Sequence, residues 1–417
     1  MKWLGHLFRW WLVVAAGCGF PRPSPVGSAD DGGGVDSTSA CPANQPLRCD
    51  GDKLVRCNSD GTSEVTEACP LGCSSTTQHC NDVAPSNGLA SYIDMSSGEP
   101  DVDLGMMATI NTDNGTVVVD GKSVTVRSAL VAQTSAPTIL VFIVHSLTSE
   151  NVTITGNNAF AVVSDGDIAI GGVFAASADL NTPGPGRFND STCIGGSSVG
   201  VSSTFSGAGG GGFGTAGGSG GSATNTADNS AGGAGGSPTG NPTITPLRGG
   251  CDSGRYGPGA GVAGTAGGAI QLVSRTKITI SGVVAANGSS FTGGGSGGGI
   301  LLEAPLVNVT GTMVANGGAG AGGCLLPQVG ENGHLDAAPA IGGGTGCGGL
   351  GANGGNGGAG TVPAGKGINV SISDSSDVFG GGGGGGVGRI RINTAPGGFH
   401  RAGLFSPNPS TGDIAAR

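Results

Sequence analysis

The sequence predicts an all-β chain, a parallel β-helix whose short strands stack coil upon coil, carrying long glycine-rich insertions and preceded by a small disulfide-rich module. Three observations predict it. First, a short apolar row recurs four times, beginning at Phe160, Ile270, Ile300 and Ile390. Second, two further rows follow the first three copies in fixed order, beginning at Ile168, Ile278 and Val307, then at Phe174, Val284 and Met313. Third, 90 glycines and 22 prolines in 417 residues break helices throughout.

Ile270 maps to Ile300 and Ile278 to Val307, a spacing of about 30 residues that marks a repeat array. Within each row apolar residues alternate with small or polar ones, the period of a strand, and each row is too short for a helix. Stacked coils place like side chains in ladders, here Phe160/Ile270/Ile300/Ile390 and Val162/Leu272/Leu302/Ile392. One coil buries too little alone, so further coils are expected. Ile139 to Val144 with Val152 to Thr155 supply one; Val117 to Val119 with Val124 to Val126 supply the first. Gly172, Gly282 and Gly311 fall just after strands, where a corner calls for positive φ.

Taken in order, residues 1–17 read as an export signal: Lys2 and Arg9, then the apolar stretch Trp10 to Val14, then small residues. The stretch is too short to span a bilayer. Residues 18–40 are rich in Pro, Gly, Ser and Asp, a flexible tether. Residues 41–81 hold Cys41, Cys49, Cys57, Cys69, Cys73 and Cys80, a disulfide-stapled module with fifteen possible pairings. Residues 82–100 read as a linker, 101–405 as the β-helix and 406–417 as a tail. Phe399, Leu404 and Phe405 are expected to cap its end.

The insertions at about 178–266 and 318–386 interrupt the repeat. Runs at 207–221, 232–236, 342–360 and 380–386 are nearly free of side chains. The remaining cysteines fall in two pairs, one per insertion, predicting Cys193–Cys251 and Cys324–Cys347. Each closure stabilises by roughly 4 kcal/mol in the chain-entropy model. Paired cysteines argue for partly ordered loops lying against the coils, and polyglycine helices are one form they could take.

Two resemblances sharpen this reading. Ala15-Ala16-Gly17-Cys18 resembles the bacterial lipobox, with Ala15 where leucine is commonest. That resemblance implies cleavage before Cys18 and its acylation, palmitate included. Gly19 after the cysteine points to the outer membrane. The pattern around Cys49-Asp50-Gly51, Cys57 and Gly72-Cys73, with the glycine run ending in Gly388-Arg389-Ile390-Arg391-Ile392-Asn393, resembles glycine-rich surface lipoproteins of myxobacteria. The resemblance covers about residues 100–405 and implies a right-handed, pectate-lyase-like β-helix. It says almost nothing of activity.

The formal charge is −10, which disfavours nucleic acid as a partner. All three tryptophans (Trp3, Trp10, Trp11) lie in the signal, leaving only Tyr92 and Tyr256 beside phenylalanine for sugar stacking. Polysaccharide-cutting β-helix enzymes need clustered acids. The candidates here are Asp165 and Asp167, which flank Gly166 in a turn, and the outward Arg389 and Arg391, which suit a carboxylate or sugar acid but more readily serve as solvated edge protection. Glu303 is expected as a solvated surface charge, and His145 as a satisfied turn residue. Glycine patterns of the cofactor type lack the required context, so no cofactor and no metal are expected. The expectation is a non-catalytic surface lipoprotein, a spacer, matrix component or adhesin held to the membrane by lipid, with surface polysaccharide or matrix protein as partner. The alternative is a β-helix protein that binds or degrades polysaccharide. Sequence leaves the oligomeric state open.

Overall fold

Three sheets take up the three recurring rows. The computed structural model describes residues 41–256, 262–324 and 328–417; the expected signal at 1–17, Cys18 and the tether up to residue 40 lie outside them. The seven-stranded sheet runs Ser128–Val131, Ile139–Val144, Ala159–Ser164, Ala269–Ser274, Gly299–Glu303, Arg389–Thr394, Ser410–Asp413. A six-stranded sheet joins the second rows, from Val102–Asp103 to Phe399–Arg401, and an eight-stranded sheet the third rows, ending at Leu404–Ser406. The repeat sets the register. Phe160 pairs with Ile270, Ile270 with Ile300 and Ile300 with Ile390, all parallel. Val162, Leu272, Leu302 and Ile392 pair in the same way.

The expected fold, a single right-handed pectate-lyase-like parallel β-helix, is corrected by the sheet pattern. The chain forms large parallel and mixed sheets, several smaller sheets and an extensive glycine-rich layer. Val117 to Val119 do not open a parallel coil. Thr116–Val119 and Lys122–Val124 form a hairpin antiparallel to Met107–Asn111, and Ser128–Val131 lies antiparallel on Ile139–Val144. The reason is turn chemistry: Asp120 and Gly121 both take positive φ, the geometry of a tight reversal. At the other end, Phe399 and Leu404 lie within strands that continue the register, and Phe399 meets Phe405 edge to face at 6.0 Å.

Alternation splits the seven-stranded sheet between two cores. Its inward residues join one continuous cluster with the other two sheets, centred on Phe142, Phe160 and Phe174, with Phe142 and Phe160 edge to face at 5.0 Å. Its outward residues, among them Val141, Ile143, Val163 and Leu301, are also buried. Val83, Leu89 and Ile93 cover them, the last inside the short helix Ala90–Asp94. The segment 82–100, expected as a linker, is therefore in good part a docked cover. The tail also differs from expectation: Ser410–Asp413 pairs with Arg389–Thr394, and Ile414 joins the outer core. Hydrophobic burial on both faces explains why this sheet reads as an almost continuous apolar run.

The glycine runs are ordered. In residues 380–388, Gly380, Gly383 and Gly386 donate to Phe205, Ala208 and Gly211. Gly381 and Gly384 donate to Ile368 and Gly365; Gly382, Gly385 and Gly388 donate to Ala321, Gly318 and Ala315. Carbonyls of the same run accept from three more segments, through Gly218 and Gly221, Gly355 and Gly358, and Gly294 and Gly297. Each neighbour thus meets every third residue. This is a three-residue screw like that of polyproline II, satisfied by bonds between segments rather than within one. A Cβ on Gly384 would collide with the Asn356 carbonyl oxygen. The same closeness, and not positive φ, accounts for the corner glycines: at Gly282 and Gly311 a Cβ would strike the carbonyl of the row below, and neither has positive φ.

All ten described cysteines are paired. The module carries Cys41–Cys57, Cys49–Cys73 and Cys69–Cys80, and the insertions carry Cys193–Cys251 and Cys324–Cys347 as the parity argument expects.

Candidate functional site

The candidate residues lie at turns and on the last rows of the sheets. Asp165 and Asp167 follow the strand Ala159–Ser164. Their turn is fixed by Gly166, whose N–H donates to the His145 carbonyl and whose own carbonyl accepts the Ser164 and Ser274 hydroxyls. The two carboxylates take separate partners. Asp165 Oδ1 lies 2.8 Å from His145 Nδ1, and this contact raises the pKa of the half-exposed imidazole. Asp167 bonds Lys277 Nζ at 2.8 Å and accepts the Thr276 hydroxyl at 2.6 Å. Partial burial would raise the Asp167 pKa, but these two partners outweigh it and hold the carboxyl below its ordinary range. His145 is thus an ion-pair partner as well as a turn residue. Hydrolysis by paired acids needs two carboxyl groups facing one substrate bond, whereas each of these is engaged by a different neighbour.

Two acids do converge on arginine, at the cover segment. Asp82 meets Arg275 and Arg417 at 2.7 and 3.0 Å, and Asp94 meets the same two arginines. The pairs join cover, sheet and chain end. This network is a clasp, not a cleft.

Glu303 overturns its expectation. It points outward from the sheet, as alternation requires, yet it is 1% exposed because the cover lies over it. Its carboxylate accepts the Ser86 N–H at 3.0 Å, the Ser86 hydroxyl at 2.7 Å, Gln271 Nε2 at 2.7 Å and Asn393 Nδ2 at 3.1 Å. Sequence reasoning missed this because Ser86 is 217 positions away.

Arg389 and Arg391 do project outward, but neither is a free edge charge. Arg389 is half-buried over the Phe213 ring and donates from Nη2 to the Phe213 and Thr239 carbonyls at 3.3 and 3.0 Å. Its Nε is buried without a partner. Burial, with Arg248 beside it, lowers its pKa. Arg248 also packs on Phe213 and meets Asp190 at 3.5 Å. Arg391 donates to Asn393 Oδ1 and to the Thr411 carbonyl, both at 2.7 Å. Arg389 lines a cavity of about 210 Å³ with Thr215, Pro242, Pro407, Asn408 and Ser410.

A larger groove, about 470 Å³, opens on the six-stranded sheet beside exposed Met106 and is lined by Asp103, Asp120 and Glu150. Two of these acids already serve the backbone: Asp103 accepts the Gly105 N–H and Asp120 the Met107 N–H. Among the described residues no group of three His, Cys, Asp or Glu side chains is placed to hold a metal ion. Within the same residues no helix is long and apolar enough to cross a membrane. No protein-family model, no curated protein and no solved structure matches this chain.

Proposed function

We propose that the chain is a non-catalytic lipoprotein of the bacterial cell surface, anchored through Cys18 and acting as a rigid spacer, matrix component or adhesin. The observation that carries this reading is the glycine-rich layer. Its backbone is bonded in three directions and its insertions are closed by Cys193–Cys251 and Cys324–Cys347. Such a layer supplies stiffness with very few reactive side chains. Five disulfides suit an oxidising, exported setting. The residues first considered for catalysis are engaged in turn ties and ion pairs. The test is metabolic labelling with an alkyne palmitate analogue, combined with protease shaving of intact cells. Labelling lost on Cys18→Ser and shaving of the wild-type chain are expected; label retained in that variant sinks the anchor.

The alternative, a polysaccharide-degrading protein, draws on one observation, the groove lined by Asp103, Asp120 and Glu150. Depolymerisation of a uronate or neutral glucan by the purified chain, abolished by Glu150→Gln, would replace the structural reading.

A further inference from the structure

We infer that the cleft floored by Arg389 binds an oxyanion carried on a sugar, a carboxylate or a sulfate ester. The sugar part rests on the surface-adhesin reading above; the oxyanion part rests on the cleft alone.

Charge pairing sets the arginines of this region apart from most of the others. The chain has 28 acids against 18 basic residues, so acids are in surplus. Arg48, Arg56, Arg127, Arg187, Arg275 and Arg417 each take a carboxylate partner. Arg389, Arg391 and Arg401, in the strands Arg389–Thr394 and Phe399–Arg401, bond only to carbonyl or amide oxygens, and exposed Arg255 is the one other described arginine without a carboxylate partner. Two arginines pack on Phe213, and Asp190 pairs with only one of them, Arg248. Half-buried Arg389 has no counter-charge, and its two carbonyl acceptors make up only part of the hydration it has lost. The buried, unpartnered Nε of Arg389 shows the same deficit at one atom.

The surroundings fit an anion on a polar, partly apolar body. Gly299 pairs with Arg389 across the strands, and a side chain there would strike the Arg248 carbonyl behind the arginine. Exposed Asn408 lines the cleft and accepts Arg401 Nη2 at 2.7 Å, bringing a second unpaired arginine to the rim. Thr215 Oγ1 accepts the Val387 N–H, which leaves its O–H to donate. Pro242 and Pro407 add apolar walls. An arginine fork matches the oxygens of carboxylate and sulfate. At about 210 Å³ the cavity is below the about 300–1,000 Å³ of drug-sized sites, so it takes one charged residue and not a polymer segment.

The test is calorimetric titration of the full chain with trigalacturonate, with a sulfated neutral trisaccharide, and with the same trisaccharide unsulfated. One or both anionic probes should bind about tenfold or more tighter than the neutral one. Arg389→Gln should weaken that binding about tenfold or more. Asn408→Asp, on the exposed rim, should do the same by repulsion while leaving the thermal midpoint unchanged, so that a folding defect in the first variant cannot mimic the result. Binding of neither anion, equal binding of the neutral probe, or affinity indifferent to both substitutions would each overturn the cleft. Loss of palmitate labelling from the wild-type chain with anion binding intact would sink the anchor reading alone.

Discussion

Asn287 Oδ1 accepts the backbone N–H of Asn316 at 2.8 Å, and Asn316 Oδ1 accepts the Ser406 hydroxyl at 2.5 Å. The chain of bonds begins one row earlier, where Ser177 Oγ accepts the Asn287 N–H. A polar ladder thus runs along the corner at which the glycine insertions leave the eight-stranded sheet. Each amide also reaches across to the second insertion: Asn316 Nδ2 donates to the His334 and Asp336 carbonyls. Both asparagines are buried, and the bonds from the Asn316 N–H and the Ser406 hydroxyl are made away from water.

Removing that amide should therefore be costly in a way that depends on chemistry and not only on volume. Asn316→Ala orphans the Asp336 carbonyl and the Ser406 hydroxyl and leaves the His334 carbonyl to Asn287 alone, an expected loss of about 2–3 kcal/mol. Asn316→Asp keeps the shape but sets a carboxylate oxygen against two carbonyl oxygens. It should destabilise more than alanine at pH 7 and recover on acidification. Thermal midpoints at pH 7 and 4 check this; an aspartate variant more stable than the alanine one at pH 7 refutes the ladder.

The glycine layer makes a second prediction, graded by position. Gly384 is enclosed by other segments of the chain, whereas Gly349 faces open space. Gly384→Ala forces a carbonyl aside and breaks bonds on both sides, an overpacking cost of about 3 kcal/mol or more. Gly349→Ala should be neutral within about 0.5 kcal/mol. Comparable melting shifts for the two would mean that the layer is not packed as a bonded array.

The rows were legible in the sequence because each ladder repeats at fixed spacing, as Phe160, Ile270, Ile300 and Ile390 do. The pairing of Cys193 with Cys251 was legible from parity. The single β-helix was an over-reading. The apolar run Val117 to Val119 reads alike in a coil or a hairpin, and only the turn at Asp120 and Gly121 decides. The glycine layer was legible as unusual but not as a three-direction array, since its bonds use only backbone atoms that all residues share. Glu303 was misread because alternation reports which face a residue takes, not what later covers that face.

The cover over Glu303 should behave as a separable latch. Glu303→Ala leaves the Ser86 N–H, Gln271 and Asn393 without their acceptor, a loss of about 3 kcal/mol concentrated where residues 82–95 meet the sheet. Glu303→Gln, which keeps one acceptor oxygen, should cost less. Limited proteolysis of the alanine variant should cut first within 82–100, before any cleavage in the three sheets. First cuts inside the glycine-rich insertions would show that the cover is held by its apolar contacts alone.

Acid should loosen the loop around Cys193 through Asp190. Burial pushes this carboxyl upward, but the Thr192 hydroxyl and N–H, the Thr239 hydroxyl and the Cys193 N–H all donate to it and bring its pKa down to about 2. A carboxyl depressed on folding contributes stability that is full above its unfolded pKa near 4 and is lost as pH falls through its folded pKa near 2. After discount for partial solvent screening the contribution is about 1–2 kcal/mol. Asp190→Asn removes the titration and also leaves buried Arg248 without its acid. The variant should be less stable at pH 7 and lose less stability than wild type between pH 4 and 2. Parallel pH-dependences for the two proteins over that window would show that Asp190 carries no such linkage.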